Sequence, residues 1–374
     1  MKKVCVFTQP LISNYGGILQ NYALQQILER NNYVVNTINR LGRISDYRIF
    51  LQKIKQKIFN HHNNKLLYRA QHTLIAVNSK DFIDRKLNVL NVYNPTNETL
   101  KKLVLENHYE TIIVGSDQVW RPKYSIDISQ DFLGFIQSSI KKVAYAASFG
   151  TDKWEFSDEL TRTCSKLLRD FNAVSVREDS GVDLCKEFLG CEAEQVLDPT
   201  LLLTQQDYLE IIKEKINDKT EGGIYTYILD KSKDKVEIIK TITKVLNKSV
   251  FNKQPKYALN NNKSLEFSYD SFGYPAIEEW LAGFRDADFI VTDSFHGTVF
   301  SIIFNKPFVA ISNSERGRAR FISLLKLFNL ENRLVEDKVD IEVILQLGDI
   351  DFAKVNSLLD IERKKSIDFL LKNI

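Results

Sequence analysis

Short apolar runs that suit buried strands alternate with stretches of helical periodicity along the chain. The first series has strand candidates at 4–7, 34–38, 112–114, 143–147 and 173–176, with a helix candidate at 18–29. A second series has strand candidates at 223–229, 288–292 and 307–311, with a helix candidate at 236–246. Because strands that alternate with helices form parallel sheets, the pattern predicts an α/β protein with two Rossmann-like domains that face a cleft.

The apolar run 195–203 is typical of the end of a first domain. Its Asp198-Pro199 step breaks regular structure, and the polar residues 204–207 that follow suit a hinge. The sequence therefore predicts an N-terminal domain at 1–203 and a C-terminal domain at 204–345. The final segment, 346–374, is predicted to be a helix that packs back on the first domain.

A basic segment, at about 40–91, interrupts the first domain. Its apolar residues 44, 47, 51, 54 and 58 follow the three-and-four spacing of an amphipathic helix. Residues 40–86 contain eleven lysines and arginines against three aspartates, a formal charge of +8. Two interpretations stay open: a solvated helical face, or a peripheral contact with anionic lipid or a diphosphate-linked acceptor.

Composition narrows the class of protein. A chain of 374 residues that is 44% hydrophobic can bury two cores, and its 51 basic and 48 acidic residues are too balanced to indicate a nucleic-acid partner. The four cysteines lack paired spacing, so neither a metal site nor disulfides are expected. The apolar run at 4–7 is too short for a secretory signal, and no apolar stretch of about 18 residues could span a membrane. We therefore expect a cytoplasmic protein.

The strand-to-helix junction around His296 is the leading candidate for chemistry. This is the only histidine after His108, and Gly297 and Thr298 follow it at the start of an apolar helix. The first amides of a helix have no partner within it and its dipole end is positive, so an anion beside His296 would be stabilised. The alternative is a histidine that caps a helix.

A second junction, at Asn14, Tyr15, Gly16 and Gly17, joins the first strand to its helix. Two glycines let a ligand approach the backbone closely, and the polar side chains could contact it in the cleft. The segment lacks both the three-glycine dinucleotide fingerprint and the lysine of a P-loop, so its spacing does not indicate a nucleotide. The alternative is a tight turn without a ligand.

The segment 114–120 places Asp117 and Gln118 just beyond a strand. Their carboxylate and amide can pair with sugar hydroxyls, while the Trp120 indole could cover an apolar sugar face. In the alternative interpretation, Ser116 or Asp117 caps a helix and Trp120 lies in the core.

Fixed positive charge follows two other strands. Arg177 comes directly after the strand at 173–176, and an arginine-rich loop follows the strand at 307–311. The planar fork of arginine suits a carboxylate or a phosphate. The alternatives are an ion pair of Arg177 with Glu178 or Asp179, and solvated loop arginines. The loop residues are Arg316, Arg318 and Arg320.

The segments NYGGILQNYALQ, VGSDQVW, YAASFG, VSVRE, VLDPTLLL and TDSFHGTVF together resemble the bacterial polysaccharide pyruvyltransferase family, from about residue 1 to about residue 335. This resemblance implies a fold like that of two-domain GT-B glycosyltransferases. It also implies transfer of pyruvate from phosphoenolpyruvate to two sugar hydroxyls, which gives a cyclic ketal and phosphate without a metal or nucleotide cofactor. The expected acceptor is a polysaccharide or lipid-linked oligosaccharide precursor, which would place the protein in the cytoplasm, at the inner face of the cell membrane if the basic segment binds lipid.

The resemblance also implies roles for individual residues. His296 matches the histidine of the family's Arg-x-His-type motif, whereas Ser294 stands where the family often has an arginine. The loop arginines could replace that missing charge. We thus expect catalysis by His296 and Asp117; phosphoenolpyruvate binding by Arg177, Ser294, Gly297, Thr298, Arg316, Arg318 and Arg320; and acceptor or cleft contacts by Asn14, Tyr15, Gly16, Gly17, Gln118 and Trp120.

Two competing functions stay open. The same architecture could hold a sugar diphosphate at a helix N-terminus, as in a GT-B nucleotide-sugar glycosyltransferase. A non-catalytic binding protein of a polysaccharide pathway would share the fold without turnover.

Overall fold

The computed structural model describes residues 1–42, 74–125, 127–136, 140–218, 222–230, 232–257, 268–312, 317–336 and 348–374. Most of the basic segment lies outside these residues, as does Arg316. The predicted lipid contact and the predicted role of Arg316 therefore stay predictions.

The first half of the chain forms a seven-stranded parallel sheet in the order β3-β2-β1-β4-β5-β6-β7. Its elements are β1 (Lys3–Phe7), α1 (Tyr15–Arg30), β2 (Val34–Leu41), α2 (Val77–Lys86), β3 (Val89–Tyr93), α3 (Asn97–Glu106), β4 (Thr111–Val114), α4 (Ile128–Asp131), β5 (Lys141–Ala147), α5 (Asp158–Leu168), β6 (Ala173–Val176), α6 (Asp179–Leu184) and β7 (Glu194–Gln195). The central strands are buried on both faces, which explains why they are continuous apolar runs in the sequence.

A 3₁₀ turn (Pro199–Leu202) and α7 (Gln205–Lys213) lead to a second parallel sheet, in the order β12-β11-β10-β8-β9. Its elements are β8 (Ile224–Tyr227), α8 (Lys233–Leu246), β9 (Val250–Phe251), α9 (Tyr269–Phe272), α10 (Ile277–Asp286), β10 (Phe289–Thr292), α11 (Phe295–Ile303), β11 (Phe308–Ile311), α12 (Arg318–Leu327) and β12 (Leu334–Val335). The predicted α/β class with two parallel sheets is confirmed.

Strand order reverses at one place in each sheet. The reversal falls between β1 and β4 in the first sheet and between β8 and β10 in the second. Ligands of open parallel sheets bind beyond the carboxyl ends of the strands at such points. The junctions around Asn14 and His296 lie at these two reversals.

The start of α1 packs against the second half of the chain. The Tyr15 ring lies 5.2 Å from the ring of Trp280, between ring centroids, and its hydroxyl donates to the carbonyl of Pro275 at 2.6 Å. At the other end of the contact, Arg85 of α2 pairs with the fully buried carboxylate of Glu278. These contacts fix the first sheet against the second across the cleft.

The last helix, α13 (Phe352–Asn373), runs back along the turn that ends the first half of the chain. The amide of Leu197 donates to Ser366 Oγ at 2.9 Å, and Arg363 Nε donates to the carbonyl of Leu201 at 2.9 Å. No helix within the described ranges is both long and apolar enough to cross a membrane.

Candidate active site

A fully buried aspartate, Asp198, lies at the centre of the candidate site. Its Oδ1 accepts from the amide and hydroxyl of Thr200 at 3.0 and 2.6 Å, an arrangement that caps the 3₁₀ turn. Its Oδ2 accepts from Ser116 Oγ at 3.0 Å and from Arg177 Nη1 at 2.8 Å. Burial opposes ionisation of this carboxyl, but His296, Arg177 and Thr200 together hold its pKa well below the usual range.

The His296 imidazole lies beside this carboxylate. It projects from the first turn of α11, its side chain is 9% exposed, and its Nε2 is 3.6 Å from Asp198 Oδ2. That separation is longer than a hydrogen bond, and Nε2 has no hydrogen-bond partner among the described residues. A buried polar atom left in this state is costly unless a ligand satisfies it.

Gly16 explains how the imidazole fits between the two halves of the protein. A Cβ at Gly16 would overlap His296 Nδ1, so only glycine leaves room for the ring. The two junctions predicted from the sequence therefore meet at one point. Gly17 serves the first junction in a similar way, since a Cβ there would lie 3.1 Å from Asn14 Nδ2 and 3.5 Å from Asp117 Oδ2.

Arg177 is buried against the same carboxylate. Its Nη1 pairs with Asp198 at 2.8 Å and its Nε with Glu178 at 3.0 Å, while its guanidinium carbon lies 4.2 Å from the centroid of the Phe295 ring. Burial opposes its charge, yet Glu178 and Asp198 raise the pKa of Arg177 above its usual value. The third nitrogen, Nη2, is buried without a hydrogen-bond partner in the described parts of the chain. The alternative of an ion pair with Glu178 is therefore present in the structure, and the predicted contact of Arg177 with phosphoenolpyruvate stays a prediction.

A second buried arginine, Arg320, also lies near the Phe295 ring. Its guanidinium carbon lies 5.9 Å from the Phe295 centroid. Burial and the nearby charge of Arg177 lower the pKa of Arg320 to about 10. Arg320 thus brings a second buried cation next to Arg177, in a cluster that also contains buried carboxylates.

Asp117 completes the cluster from the end of β4. It has a left-handed backbone (φ +68°), and its Oδ2 accepts from Asn14 Nδ2 at 3.1 Å while Oδ1 accepts from the amide of Gln118 at 2.9 Å. Its charge acts on both Arg177 and Arg320. The structure thus brings residues from six separate sequence segments to one buried site at the cleft.

Two predicted acceptor contacts are wrong, because both side chains are fully buried among other rings. Trp120 stacks on Phe132 with centroids 4.7 Å apart, and its Nε1 donates to the carbonyl of Asp131 at 3.2 Å. Its indole therefore cannot cover a sugar face. Tyr15 is 1% exposed and packs between Tyr274 and Trp280 at the domain contact.

The cap of α11 is Ser294 rather than His296. Ser294 Oγ accepts from the amide of Gly297 at 3.4 Å, and its carbonyl accepts from the amide and hydroxyl of Thr298 at 3.0 and 3.2 Å. A Cβ at Gly297 would overlap the side chain of Thr292, so this glycine serves packing. The hydrogen bonds of Ser294, Gly297 and Thr298 thus support the helix, and their contact with phosphoenolpyruvate stays a prediction.

Arg318 also differs from its prediction. Its side chain is 53% exposed and pairs with Glu336, so it lies outside the buried cluster that holds Arg320. Asp198, by contrast, was missed as a site residue. The available signal was a lone carboxylate inside the apolar run 196–203, which the Asp-Pro step led us to interpret only as a break in regular structure.

The fold defines the chain as a two-domain protein of the GT-B architecture. Over 100% of its length it is similar to three solved structures. UDP-GlcNAc 2-epimerase from Neisseria meningitidis bound to UDP-GlcNAc matches over 100% of that chain (12% identity, TM-score 0.52). The S. aureus MnaA–UDP co-structure matches over 98% of that chain (10% identity, TM-score 0.55). Arabidopsis thaliana UGT89C1 complexed with UDP matches over 99% of that chain (8% identity, TM-score 0.51). At such identities the likeness shows the fold alone.

The sequence also matches a single protein family, which is a narrower assignment than the GT-B architecture. The model of the polysaccharide pyruvyl transferase family matches residues 14–315, and the chain belongs to that family. The family resemblance of the sequence motifs is therefore confirmed. A search of curated proteins found no match.

Proposed function

We propose that the protein is a ketal pyruvyltransferase that uses phosphoenolpyruvate as its donor and two hydroxyls of one sugar as its acceptor. The acceptor sugar would belong to a polysaccharide or lipid-linked oligosaccharide precursor. Pyruvyl transfer onto polysaccharide is the activity of the family. The observation that carries the donor assignment is the pair of buried nitrogens without hydrogen-bond partners in the described chain, Arg177 Nη2 and His296 Nε2, both beside Asp198.

The charge of the site suits phosphoenolpyruvate, which carries a carboxylate and a phosphate. Arg177 and Arg320 flank the ring of Phe295 and both are buried, so each would meet an anionic group away from water. Charge-assisted hydrogen bonds to guanidinium are strong in such surroundings. Arg320 would thus supply the charge that the family often places where this chain has Ser294.

Ketal formation requires three proton transfers, one to the donor methylene and one from each of the two sugar hydroxyls. The donor methylene takes a proton and becomes a methyl group, one sugar oxygen bonds to the adjacent carbon, and phosphate leaves. The second sugar oxygen then closes the ring, and its proton leaves with phosphate or the solvent. In this proposal His296 delivers the proton to the methylene, and Asp198 stabilises the positive charge of the imidazole while it holds that proton. Asp117 accepts a hydroxyl proton. No metal or nucleotide cofactor takes part.

A nucleotide-sugar glycosyltransferase is the competing function, and one contact disfavours it. The backbone amides of Leu229 and Asp230, just beyond β8, donate to the carboxylate of Asp293 at 2.7 and 3.1 Å. Amides at a strand-order reversal are a common binding site for the phosphates of a nucleotide. Here both amides donate to the protein's own Asp293 carboxylate, and Lys235 pairs with the same carboxylate at 2.5 Å.

Ligand-dependent stabilisation separates the two functions. A ligand that binds only the folded protein raises its melting temperature. We expect phosphoenolpyruvate to do so and UDP-sugars to have no effect. A rise with UDP-sugars alone would favour glycosyl transfer.

The catalytic assignment has its own test, in which phosphate release is measured with phosphoenolpyruvate and a panel of lipid-linked oligosaccharides. His296→Asn should lower the rate by about 10²–10⁴-fold, the usual contribution of a general acid. The matched control is His108→Asn, an exposed histidine whose left-handed backbone asparagine tolerates. Near-normal turnover by a folded His296→Asn protein would contradict the assignment. Absence of any pyruvyl mass gain by the unmodified protein across the panel would favour a non-catalytic binding protein.

A further inference from the structure

A second cavity lies between the two halves of the protein, outside the cluster around Asp198. Its volume is about 470 Å³, within the range of ligand pockets. One wall comes from the segments after β4 and β5 and the other from the start of α12. The lining residues are Arg121, Lys123, Thr151, Asp152, Lys153, Glu155, Gly317 and Arg318.

The lining carries more positive than negative charge. Of its two carboxylates, Glu155 is already bound by Arg121 through two contacts of 2.9 Å. Lys123 and Lys153 are exposed and form no ion pair within the part of the chain that the structure describes. Asp152 is the remaining acidic group. Two lysines and one aspartate therefore face a ligand, in addition to Arg318, which pairs with Glu336 on its outer side.

The start of α12 adds to this positive character. The helix begins at Arg318 after Gly317, which has a left-handed backbone (φ +90°), and it has neither a side-chain cap nor an acidic residue in its first turn. The positive end of the helix dipole therefore forms part of the cavity wall. A Cβ at Gly317 would overlap the carbonyl of Gly150, so this wall is held directly against the first half of the protein.

The cavity is joined to the candidate active site through one side chain. Arg121 Nη1 donates to Gln118 Oε1 at 3.1 Å, and Gln118 follows Asp117. A Cβ at Gly150 would overlap the same amide oxygen, so the Gln118 side chain contacts both Arg121 of the cavity lining and the segment after β5. One extended ligand could therefore contact both places.

We propose that this cavity is an anion-binding subsite for the acceptor. It would take a group attached to the sugar that receives pyruvate, either the diphosphate of a lipid-linked acceptor or the carboxylate of an acidic sugar residue. Both groups are recognised by the same chemistry, lysine ammonium groups at the rim and helix amides at the wall. The assignment to the acceptor rests on the proposed function, whereas anion binding in this cavity does not.

The test measures binding by isothermal titration calorimetry at low salt, with inorganic pyrophosphate and glucuronate as separate probes. Saturating phosphoenolpyruvate is present throughout, so that the Arg177–Arg320 cluster is not available to the probes. In the double variant Lys123→Gln/Lys153→Gln we expect affinity for one probe to fall about 10-fold, because two favourable charges are lost. The control is Lys101→Gln/Lys354→Gln, which removes the same charge from exposed positions on α3 and α13. It should keep the unmodified affinity.

Each outcome either supports or overturns the proposed anion-binding subsite or the proposed function. A selective loss for pyrophosphate supports the subsite with a diphosphate as its ligand, and a selective loss for glucuronate supports it with a carboxylate. Equal affinity in both double variants, or no binding of either probe to the unmodified protein, overturns the subsite. Failure of phosphoenolpyruvate to bind contradicts the proposed function alone, because lysine-dependent probe binding can still be measured.

Discussion

The two strand-order reversals occupy equivalent places in the two sheets but treat polar groups in opposite ways. Beyond β8 and β10, Asp293 accepts from two backbone amides and pairs with Lys235, so the polar groups of this reversal are satisfied by the chain itself. Beyond β1 and β4, α1 begins at Asn14 without a side-chain cap, and Gly16 leaves space that the His296 ring enters from the opposite domain. In our proposal the ligand therefore lies against the first reversal.

The cations Lys235 and Arg177 show the same contrast. Lys235 forms an ion pair with Asp293 and also donates to the carbonyl of Asp230. Arg177 is paired too, but its Nη2 stays without a partner within the described ranges. A buried donor left unpaired lowers stability until a ligand binds. The unpaired donor of Arg177 would thus lower the stability of the free protein and favour ligand binding. The paired Lys235 would keep its contribution to stability but offer nothing to a ligand.

Asp293→Asn tests the reversal between β8 and β10, whose polar groups are paired within the chain, and should have the largest effect on stability. The substitution leaves Lys235 without its counter-charge and weakens one of the two amide contacts, and breaking a buried pair costs about 3 kcal/mol. We expect the free energy of unfolding, measured by urea denaturation, to fall by about that amount. Affinity of the remaining folded protein for phosphoenolpyruvate should not change.

Asp183→Asn is the matched control, since Asp183 is exposed on α6. A surface change of this kind should alter the free energy of unfolding by less than about 0.5 kcal/mol. The comparison of the two reversals fails if Asp293→Asn instead abolishes phosphoenolpyruvate binding with stability retained.

Gly16→Ala tests the reversal between β1 and β4, where the His296 ring enters. The added Cβ would overlap the imidazole, so the ring must move, while alanine itself suits the helical backbone of α1. Displacement of a reacting group by about 1 Å can cost about 100-fold in rate. We expect that loss in phosphate release, together with a lower melting temperature, because overpacking of a buried site costs about 1–3 kcal/mol.

Gly42→Ala is the control for the added methyl group, because nothing lies within 4 Å of a Cβ there. Its rate should stay within about two-fold of the unmodified protein. If Gly16→Ala is equally active, the position of His296 does not limit the reaction.

Hydrophobic periodicity was sufficient to predict the fold class. The strands it identified are buried on both faces, where local sequence and tertiary environment agree. Strands β3, β7, β9 and β12 were not predicted. The last three have only two residues each, too little pattern to detect, and β3 lies at the end of the segment that was interpreted as a basic helical insertion.

Site chemistry was less predictable, since it depends on contacts between distant segments. Asp198 acquires its role from Ser116, Arg177 and His296, none of which is near it in sequence. The same holds for Trp120, because local sequence does not say whether an indole beyond a strand faces a cleft or a neighbouring helix. The glycines were informative, as two adjacent ones at 16–17 indicated a close approach, although the partner is a side chain of the protein.

Ser294→Ala is the smallest and the sharpest test, because it asks whether a residue at the edge of the site serves the ligand or the helix. Loss of this cap should lower the free energy of unfolding by about 1 kcal/mol, as should Ser157→Ala, which removes the equivalent cap of α5 far from the cleft. If capping is the whole role of Ser294, both variants should keep the KM for phosphoenolpyruvate within about two-fold. A rise of about 10-fold in Ser294→Ala alone would mean that its hydroxyl binds the donor, and the second-domain junction would then contribute more to the ligand than its cap suggests.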